Sequence, residues 1–322
     1  MRAMNFSTDN IIFANDIDSW LNHPAAVFAL LKPQAHDQFY RYWNFFNHRR
    51  WHYYHTASAE GLHYLATAAD NFVIRTAYIE SKSHASDELK IFHDLVKKFY
   101  GGVDDSSGYF LELGANIGTA GIYFLKKIAP NMKWLAFEPD PENFKLLRVN
   151  TILNDLEDKA TLVNCGLGDK FDELTMYRDL KNPGHNNFTE PKKNVPTEKI
   201  KVIPLDSYLA ENKIDAAEIK YIWIDTEGFE AQVLLGAKNF LNQNAPPIFM
   251  ECNQLAWKNS GKLEEMVALL KSVGYTHYIL FPLPGIKFTE KLYPLDNLLI
   301  LPESLKPPLG QTGDIFLIKN FA

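Results

Sequence analysis

The hydrophobic and polar positions follow two different patterns on either side of residue 100. From residue 108 onward, short apolar runs alternate with longer stretches that have helical periodicity. The seven predicted strands occupy residues 109–113, 133–137, 160–164, 221–224, 247–251, 278–281 and 297–301. The predicted helices between them occupy residues 119–128, 142–154, 229–241 and 263–273. This alternation predicts a seven-stranded, mostly parallel sheet of the α/β class with helices on both faces, in which ligands bind where the strands end.

Residues 1–100 are predicted to form a mainly helical accessory region. The segment 37–50 contains no Gly or Pro and carries aromatic residues at helical spacing. A second helix is predicted at 86–99, where apolar residues form one face and two glycines follow the last turn. Residues 72–75 form a short apolar run that is typical of a strand. The predicted organisation is therefore an accessory region, 1–100, followed by a larger domain, 101–322.

The accessory region is unusually rich in aromatic residues and histidines. Aromatic residues are concentrated in the segment 39–64, which also contains His48, His52, His55 and His63. The first three have helical spacing, but they lack the mixed set of ligands that a structural zinc site uses. No metal is predicted. The segment is interpreted either as an aromatic cap or as one wall of an acceptor pocket, since Tyr and Trp combine an apolar ring with a polar tip.

Composition and charge exclude several classes of function. The chain has 33 Lys and Arg against 39 Asp and Glu, a net charge of −6, so a nucleic-acid partner is not expected. The two cysteines, Cys165 and Cys252, cannot form a disulfide framework. No apolar run reaches the ~20 residues of a membrane span, and no signal peptide is recognised at the amino terminus. We expect a cytoplasmic protein without a membrane span, and the sequence does not indicate its oligomeric state.

A glycine-containing turn follows the first predicted strand of the larger domain. Gly114 and Gly118 allow the backbone to approach a ligand closely, and the helix beginning near Thr119 directs free N–H groups at an anion. A dinucleotide-binding fingerprint would require glycine at positions 116 and 119, which hold Asn116 and Thr119. The turn therefore favours a ligand with a smaller anionic group over NAD.

Carboxylates at the ends of the first two strands narrow the choice of ligand. Glu138 follows the second strand, where an acidic side chain can accept hydrogen bonds from both hydroxyls of a ribose. Pro139 beside it offers an apolar surface for a purine, and Glu112 can accept hydrogen bonds from an ammonium group. A carboxylate, an ammonium, a ribose and a purine together describe S-adenosylmethionine.

Four segments of the chain resemble a known family. Residues 111–118 (LELGANIG) resemble the first motif of class I S-adenosylmethionine-dependent methyltransferases, which have a Rossmann-like fold. Residues 136–141 (AFEPDP), 203–208 (IPLDSY) and 222–230 (IWIDTEGFE) resemble the FkbM family within that class. The resemblance extends from about residue 108 to residue 301. One departure is Trp223, where the family usually has Lys.

The resemblance implies S-adenosylmethionine as cofactor and O-methylation of a hydroxyl on a small-molecule or saccharide acceptor, such as a sugar, glycolipid or polyketide-type metabolite. The residues expected at the cofactor, from their positions in the motifs and beside them, are Glu112, Gly114, Ala115, Asn116, Gly118, Thr119, Glu138, Pro139 and Cys165. Two other functions remain open: a binding or scaffold protein that has kept the fold, and an NAD-dependent oxidoreductase.

Acidic residues cluster after the fourth predicted strand and supply the candidate catalytic groups. Asp225 is the first candidate for the base that takes the hydroxyl proton or orients the acceptor, and Glu227 is the second. Glu227 and Glu230 are interpreted alternatively as residues that only stabilise the turn and the start of the following helix, where negative charge is favoured. A Mg²⁺ or Ca²⁺ site is a further alternative, although no Asn adjoins Asp225.

The polar stretch 181–198 has the composition of a loop that can close over a site. Its His185 is a third candidate for the general base, since histidine is the side chain most often used for proton transfer. A solvated histidine in a surface loop is the alternative interpretation. Cys165 is expected near the adenine edge, or else as a small buried apolar residue.

Overall fold

The computed structural model describes residues 54–67, 70, 73–179, 183–188, 195–282, 288–300 and 313–319. The chain forms two compact units. One contains the described residues before Ala85 together with those of 179–184, and the other runs from Ala85 to Arg178 and from His185 onward. The helix predicted at 37–50 and the aromatic residues around it lie outside the described residues.

The first unit contains a hairpin and a helix. Strands β1 (Tyr54–Ala59) and β2 (Leu62–Thr67) pair antiparallel around Glu60 and Gly61, whose φ angles of 52° and 76° are those of a tight hairpin turn. Helix α1 (Val73–Glu80) follows, and Asp70 Oδ1 accepts a hydrogen bond from its first N–H at 2.8 Å.

The strand predicted at residues 72–75 is wrong. Residues 73–75 belong to helix α1 and not to a strand, because Val73, Ile74 and Ala77 are buried together on one helical face. His55 lies in strand β1, so it cannot share a helical face with the histidines before it. Local β-propensity favoured a strand at 73–75, and tertiary packing overrode it.

An eight-stranded sheet forms the framework of the second unit. Its strands are β3 (Tyr109–Leu113), β4 (Lys133–Phe137), β5 (Ala160–Val163), β9 (Ile219–Ile224), β10 (Ile248–Glu251), β11 (Tyr275–Pro282), β12 (Leu292–Pro294) and β13 (Gly313–Lys319). Their order across the sheet is β12-β11-β13-β10-β9-β3-β4-β5. The five strands from β10 to β5 are parallel, and β13 enters antiparallel between β10 and β11. The predicted α/β class is confirmed.

The last strands differ from the prediction. The strand predicted at 297–301 is wrong, because Leu295–Leu299 form a 3-10 helix in which Leu295 and Leu298 are buried. The final strand is β13, which begins at Gly313 and contains four consecutive buried apolar residues, 315–318. The sheet therefore has eight strands where seven were predicted, with β12 as a short edge strand.

The direction of the chain across the sheet reverses between β3 and β9. From β3 the chain proceeds to β4 and β5 on one side, and it later returns to β9 and β10 on the other side. The two strands end side by side, with Asp225 N donating a hydrogen bond to Leu113 O at 2.9 Å. In open α/β sheets this reversal leaves a crevice at the carboxyl ends of the strands, where ligands bind.

Eight α-helices after α1 flank or connect these strands in the described ranges. They are α2 (Ser86–Tyr100), α3 (Thr119–Tyr123), α4 (Pro141–Leu153), α5 (Leu205–Glu211), α6 (Glu230–Leu235), α7 (Lys238–Gln243), α8 (Gln254–Asn259) and α9 (Leu263–Ser272), and a π-helical turn (Phe124–Ile128) extends α3. The helix predicted at 229–241 is thus two helices. The second of them, α7, has its own start, where the Asp206 carboxylate accepts hydrogen bonds from Asn239 N and Phe240 N, each at 2.8 Å.

The two faces of the sheet have different cores. On one face Phe92 of α2 contacts Tyr221, Trp223, Phe249 and Phe316, with ring centroids 5.6–6.2 Å apart. Trp223 also stacks on Phe249 at 4.0 Å. On the other face, aliphatic side chains of the sheet pack against α5, α6, α7 and α9. Trp223 therefore contributes to the aromatic core beneath α2.

A small three-stranded sheet lies between β5 and β9 in the chain. Its strands are β6 (Gly166–Leu167), β7 (Asp172–Tyr177) and β8 (Thr197–Ile203), in the order β6-β8-β7. The described part of the connection between β7 and β8 contains a 3-10 turn, Pro183–His185. Asn187 then pairs with Tyr177 in an isolated antiparallel bridge. The prediction of a loop from 181 to 198 holds for most of the described part, but its last two residues belong to β8.

Candidate active site

The turn after β3 is held tightly within the protein. Gly114 has a φ of +91°, and a Cβ there would lie 1.8 Å from the backbone oxygen of Asp225. At Gly118, with a φ of +89°, a Cβ would lie 2.6 Å from the side chain of Leu147. Both glycines are therefore required by the close approach of other protein atoms. From the sequence, these glycines were explained by the approach of the backbone to a ligand. The structure explains them by the approach of the backbone to other parts of the protein.

Glu138 connects this turn to the turn after β4. Its Oε2 accepts a hydrogen bond from Asn116 N at 2.7 Å, and its Oε1 accepts one from Asp140 N at 2.8 Å. Asn116 has a φ of 49°, a conformation that Asn tolerates better than most residues. Burial raises the pKa of Glu138 to about 8, and the hydrogen bond from Asp140 opposes that rise. The carboxylate is thus held at the carboxyl end of β4, and each oxygen retains further capacity to accept.

Glu112 is buried in β3 and directed towards α3. Its Oε2 accepts a hydrogen bond from Trp134 Nε1 at 2.8 Å, and it also accepts one from the backbone of Gly121. Burial raises the pKa of Glu112 well above its ordinary range. The charges of Asp225 and Glu138 raise it further, so these three carboxyl groups lie close enough to influence one another.

Asp225 lies at the end of β9, beside the turn after β3. It is exposed to solvent although it is surrounded by protein atoms, a combination expected for a residue in an open crevice. This enclosure raises the pKa of Asp225 to about 7, and the charge of Glu230 contributes to the increase. Asp225 is the acidic residue of this group that solvent reaches most readily.

Glu230 stabilises the segment that follows Asp225. Its Oε1 accepts hydrogen bonds from Thr226 N and Thr226 Oγ1, both at 2.9 Å, and from Gly228 N at 3.1 Å. Its Oε2 accepts one from Trp257 Nε1 at 2.7 Å, and the residue is fully buried. The interpretation of Glu230 as a residue that stabilises the turn is confirmed. Glu227 occupies the same turn with a φ of 52° and is partly exposed.

Two further carboxyl groups lie on neighbouring strands. Glu251 ends β10 and is paired in register with Asp314 of β13. Burial raises the pKa of both well above the ordinary range, with a further increase from the charges of Glu230 and Asp225. Asp314 was not selected from the sequence, because β13 was not predicted. The signal was present as the apolar run that follows Gly313.

These buried acids predict an unusual dependence of stability on pH. Glu112, Glu138, Glu251 and Asp314 have raised pKa values in the folded state, so the folded protein binds more protons than the unfolded chain. Their protonation stabilises the protein fully below the ordinary carboxyl pKa of about 4.5, and that stabilisation decreases as the pH rises through the raised pKa values, which for Glu138 is about 8. We expect the Tm to be roughly 5 °C or more lower at pH 8.5 than at pH 6. Differential scanning calorimetry at both pH values measures this, and an equal or higher Tm at pH 8.5 would contradict it.

The turn after β4 is also held by residues from later in the chain. Asp140 Oδ1 accepts hydrogen bonds from Glu142 N at 2.8 Å and Arg178 Nη2 at 2.9 Å, and its Oδ2 accepts one from Asn186 Nδ2 at 2.5 Å. Asn164 Nδ2 donates to the backbone oxygen of Glu138 at 2.8 Å. Arg178 and Asn164 were not identified from the sequence, because no motif or spacing near them relates them to this turn.

The remaining predicted residues occupy a range of positions. Ala115 and Thr119 are buried in and just after the turn that follows β3, and Pro139 is partly buried between Glu138 and Asp140. Cys165 is buried after β5, and burial raises the pKa of its thiol to about 11, so it is a neutral thiol. The backbone of His185 is adjacent to Asn186, and its side chain lies outside the described part of the structure.

Two negative observations apply to the described ranges. Among those residues, no three His, Cys, Asp or Glu side chains are grouped as a metal site would require. None of the helices seen there is both long and apolar enough to cross a membrane.

The sequence model of the methyltransferase FkbM domain matches residues 112–276, just over half of the chain. The chain belongs to the FkbM methyltransferase family. The matched region begins at Glu112 in β3 and ends just after Tyr275 at the start of β11, so it includes the crevice between β3 and β9. The resemblance predicted from four short motifs is thereby confirmed, and so is the Rossmann-like class I methyltransferase fold.

Individual relatives are distant from this FkbM-family chain. A methyltransferase from Sordaria araneosa, sdnD, is 26% identical over 197 residues, which cover 53% of this chain and 74% of that protein. The solved structure of an FkbM methyltransferase from Methylobacillus flagellatus is 15% identical with a TM-score of 0.41, and the alignment covers 66% of this chain but only 44% of that one. An O-methyltransferase from Bacillus cereus, solved in complex with SAH, is 12% identical with a TM-score of 0.41, and the alignment covers 73% and 81% of the two chains.

Proposed function

We propose that this FkbM-family protein is an S-adenosylmethionine-dependent methyltransferase whose cofactor lies in the crevice between β3, β4 and β9. The observation that carries the proposal is Glu138, a buried carboxylate at the end of β4 that the N–H groups of Asn116 and Asp140 hold from two sides. An acidic residue at this position of a nucleotide-binding sheet accepts the hydroxyls of a ribose.

The residues around Glu138 fit the other parts of the cofactor. Pro139 provides the apolar surface for the adenine, and the thiol of Cys165 is neutral, as suits an apolar edge. No side chain caps the start of α3 at Gly118, which favours the cofactor carboxylate there. Glu112 is engaged with Trp134 and Gly121, so it would contribute to binding the ammonium group through its remaining lone pairs, and the positive charge of that group would favour its ionised form.

The bound cofactor would supply an electrophilic methyl group for in-line displacement by an acceptor hydroxyl. Asp225 is the proposed residue that receives the hydroxyl proton or orients the acceptor, because it is solvent-accessible and its pKa of about 7 suits proton transfer near neutral pH. Glu227 is the second candidate, on the same turn. Glu230 holds Thr226 and Gly228 and thereby positions both candidates.

The proposed acceptor is a hydroxyl of a sugar, glycolipid or polyketide-type small molecule. The family resemblance supports this class. NAD is disfavoured by Asn116 and Thr119, which stand where its fingerprint requires glycine. A scaffold protein that had lost turnover would bind the cofactor without transferring its methyl group, so product formation separates the two functions.

Replacing Glu138 tests the proposed cofactor site. We expect Glu138→Ala to weaken binding of S-adenosylhomocysteine about 10- to 100-fold, because the ribose hydroxyls lose both carboxyl oxygens as hydrogen-bond acceptors. Isothermal titration calorimetry measures the affinity, with Glu142→Ala as a matched control on the exposed first turn of α4. Unchanged affinity in Glu138→Ala would remove Glu138 from the site. Absence of binding by the unaltered protein below millimolar concentration would refute the function.

A further inference from the structure

The turn that carries Glu138 is clamped by two residues of the β7–β8 connection. Arg178 and Asn186 donate to opposite oxygens of the Asp140 carboxylate, at 2.9 Å and 2.5 Å. Asp140 is almost completely buried, and only 22% of the Arg178 side chain is exposed. The other ion pair of Arg178, with Glu198, is longer at 3.5 Å and involves a side chain that is 44% exposed. The contact with Asp140 therefore dominates the interactions of Arg178.

Capping of α4 does not by itself explain this clamp. Asp140 already acts as the N-cap, because its Oδ1 accepts a hydrogen bond from Glu142 N at 2.8 Å. Arg178 and Asn186 come from 38 and 46 residues further along the chain and add two donors to the same carboxylate. The turn after β4 is thus restrained more strongly than a helix start requires.

The clamp is connected to Glu138 through a single residue. The side chain of Asp140 receives Arg178 and Asn186, while its backbone N–H donates to Glu138 Oε1 at 2.8 Å. Asn116 N holds the other oxygen at 2.7 Å. A displacement of Asp140 would therefore remove one of the two groups that orient the Glu138 carboxylate, and the other group would remain.

Building on the proposed function, we propose that Arg178 and Asn186 are positioning residues for the ribose of the cofactor. They hold Asp140, and Asp140 holds the Glu138 carboxylate in the orientation that accepts the ribose hydroxyls. The two residues act through Asp140 and do not contact the ligand. Loss of either therefore weakens the recognition of the ribose hydroxyls and leaves contacts to the rest of the nucleoside unchanged.

The experiment compares two ligands that differ by one hydroxyl. Calorimetry measures the affinities of S-adenosylhomocysteine and of its 2′-deoxyribose analogue for the full chain and for its variants. In the unaltered protein the analogue is expected to bind about 10-fold more weakly, since a hydrogen bond to a carboxylate is lost. Arg178→Met should reduce this ratio to about 3 or less, and Asn186→Ala should reduce it by a smaller factor. Arg178→Lys, which keeps the charge, should restore part of it.

Arg148→Met is the matched control, because Arg148 is an exposed arginine of α4, the helix that Asp140 caps. A reduced ratio in Arg178→Met and Asn186→Ala, together with an unchanged ratio in Arg148→Met, supports the proposal. Equal weakening of both ligands, with the ratio unchanged, overturns it and leaves the proposed function intact. If Arg178→Met does not fold, an unchanged ratio in Asn186→Ala overturns the proposal. Failure of the unaltered protein to bind S-adenosylhomocysteine would refute the proposed function and this inference with it.

Discussion

Asp225→Asn is expected to lower kcat about 10²- to 10⁴-fold while the affinity for S-adenosylhomocysteine stays within about 2-fold of the unaltered protein. The substitution removes the group that accepts the hydroxyl proton but preserves the size of the side chain. S-adenosylhomocysteine is the suitable ligand for the affinity measurement because it lacks the sulfonium charge that the Asp225 carboxylate would attract. Steady-state turnover and calorimetry on the same preparation separate the two effects.

The pH profile provides an independent test of this role. Enclosure by protein atoms raises the pKa of Asp225 to about 7, and a base must be ionised to act. We therefore expect kcat to rise with pH through about 7 and this rise to disappear in Asp225→Asn. Glu227→Gln is the comparison on the same turn. If Glu227→Gln, and not Asp225→Asn, abolished the rise, Glu227 would be the base. Equal losses of kcat and of cofactor affinity in Asp225→Asn would show that Asp225 binds the cofactor and is not the base.

Gly114→Ala is expected to destabilise the protein by about 3–5 kcal/mol and to abolish cofactor binding. A Cβ at Gly114 would lie 1.8 Å from the backbone oxygen of Asp225, and neither backbone can move without separating the ends of β3 and β9. The φ of +91° adds strain for any residue with a side chain. Chemical denaturation measures the loss of stability, and calorimetry measures binding under conditions in which the variant remains folded.

Gly101→Ala is the matched control for this prediction. Gly101 ends α2 with a φ of +69°, and a Cβ there would meet no atom within 4 Å. This variant therefore has the left-handed strain without the collision and should lose only about 1–2 kcal/mol. Similar losses in the two variants would show that strain alone accounts for Gly114 and that the close approach of β3 to β9 is unimportant.

The predictions from sequence succeeded where the local pattern was strong and failed where tertiary contacts decided. The strands β3, β4, β9 and β10 were predicted within two residues at each end, because each is a short apolar run bounded by turn residues. Helix α1 was predicted as a strand, since Val73 and Ile74 favour strands locally and only their burial with Ala77 reveals a helix. Strand β13 was missed because its neighbours, β10 and β11, are distant in sequence.

The same distinction separates the residues of the candidate site. Glu112, Glu138 and Asp225 could be selected from sequence, because each follows or ends a recognisable strand and parallel strands end at a common edge. Glu230 could be assigned its structural role only when the N–H groups of Thr226 and Gly228 were seen to donate to it. Arg178, which contacts Asp140 from 38 residues away, carried no sequence signal.

The α/β class, the family motifs and the strand-end carboxylates could be predicted from the amino-acid sequence, because hydrophobic periodicity and turn residues act over a few neighbouring positions. The tertiary structure sets what those carboxylates do, since their burial and hydrogen-bond partners come from other parts of the chain. It raised the pKa of Glu138 and Asp225, made Glu230 a structural residue and joined Asp140 to Arg178. Such long-range contacts depend on how the elements pack, which no local pattern encodes.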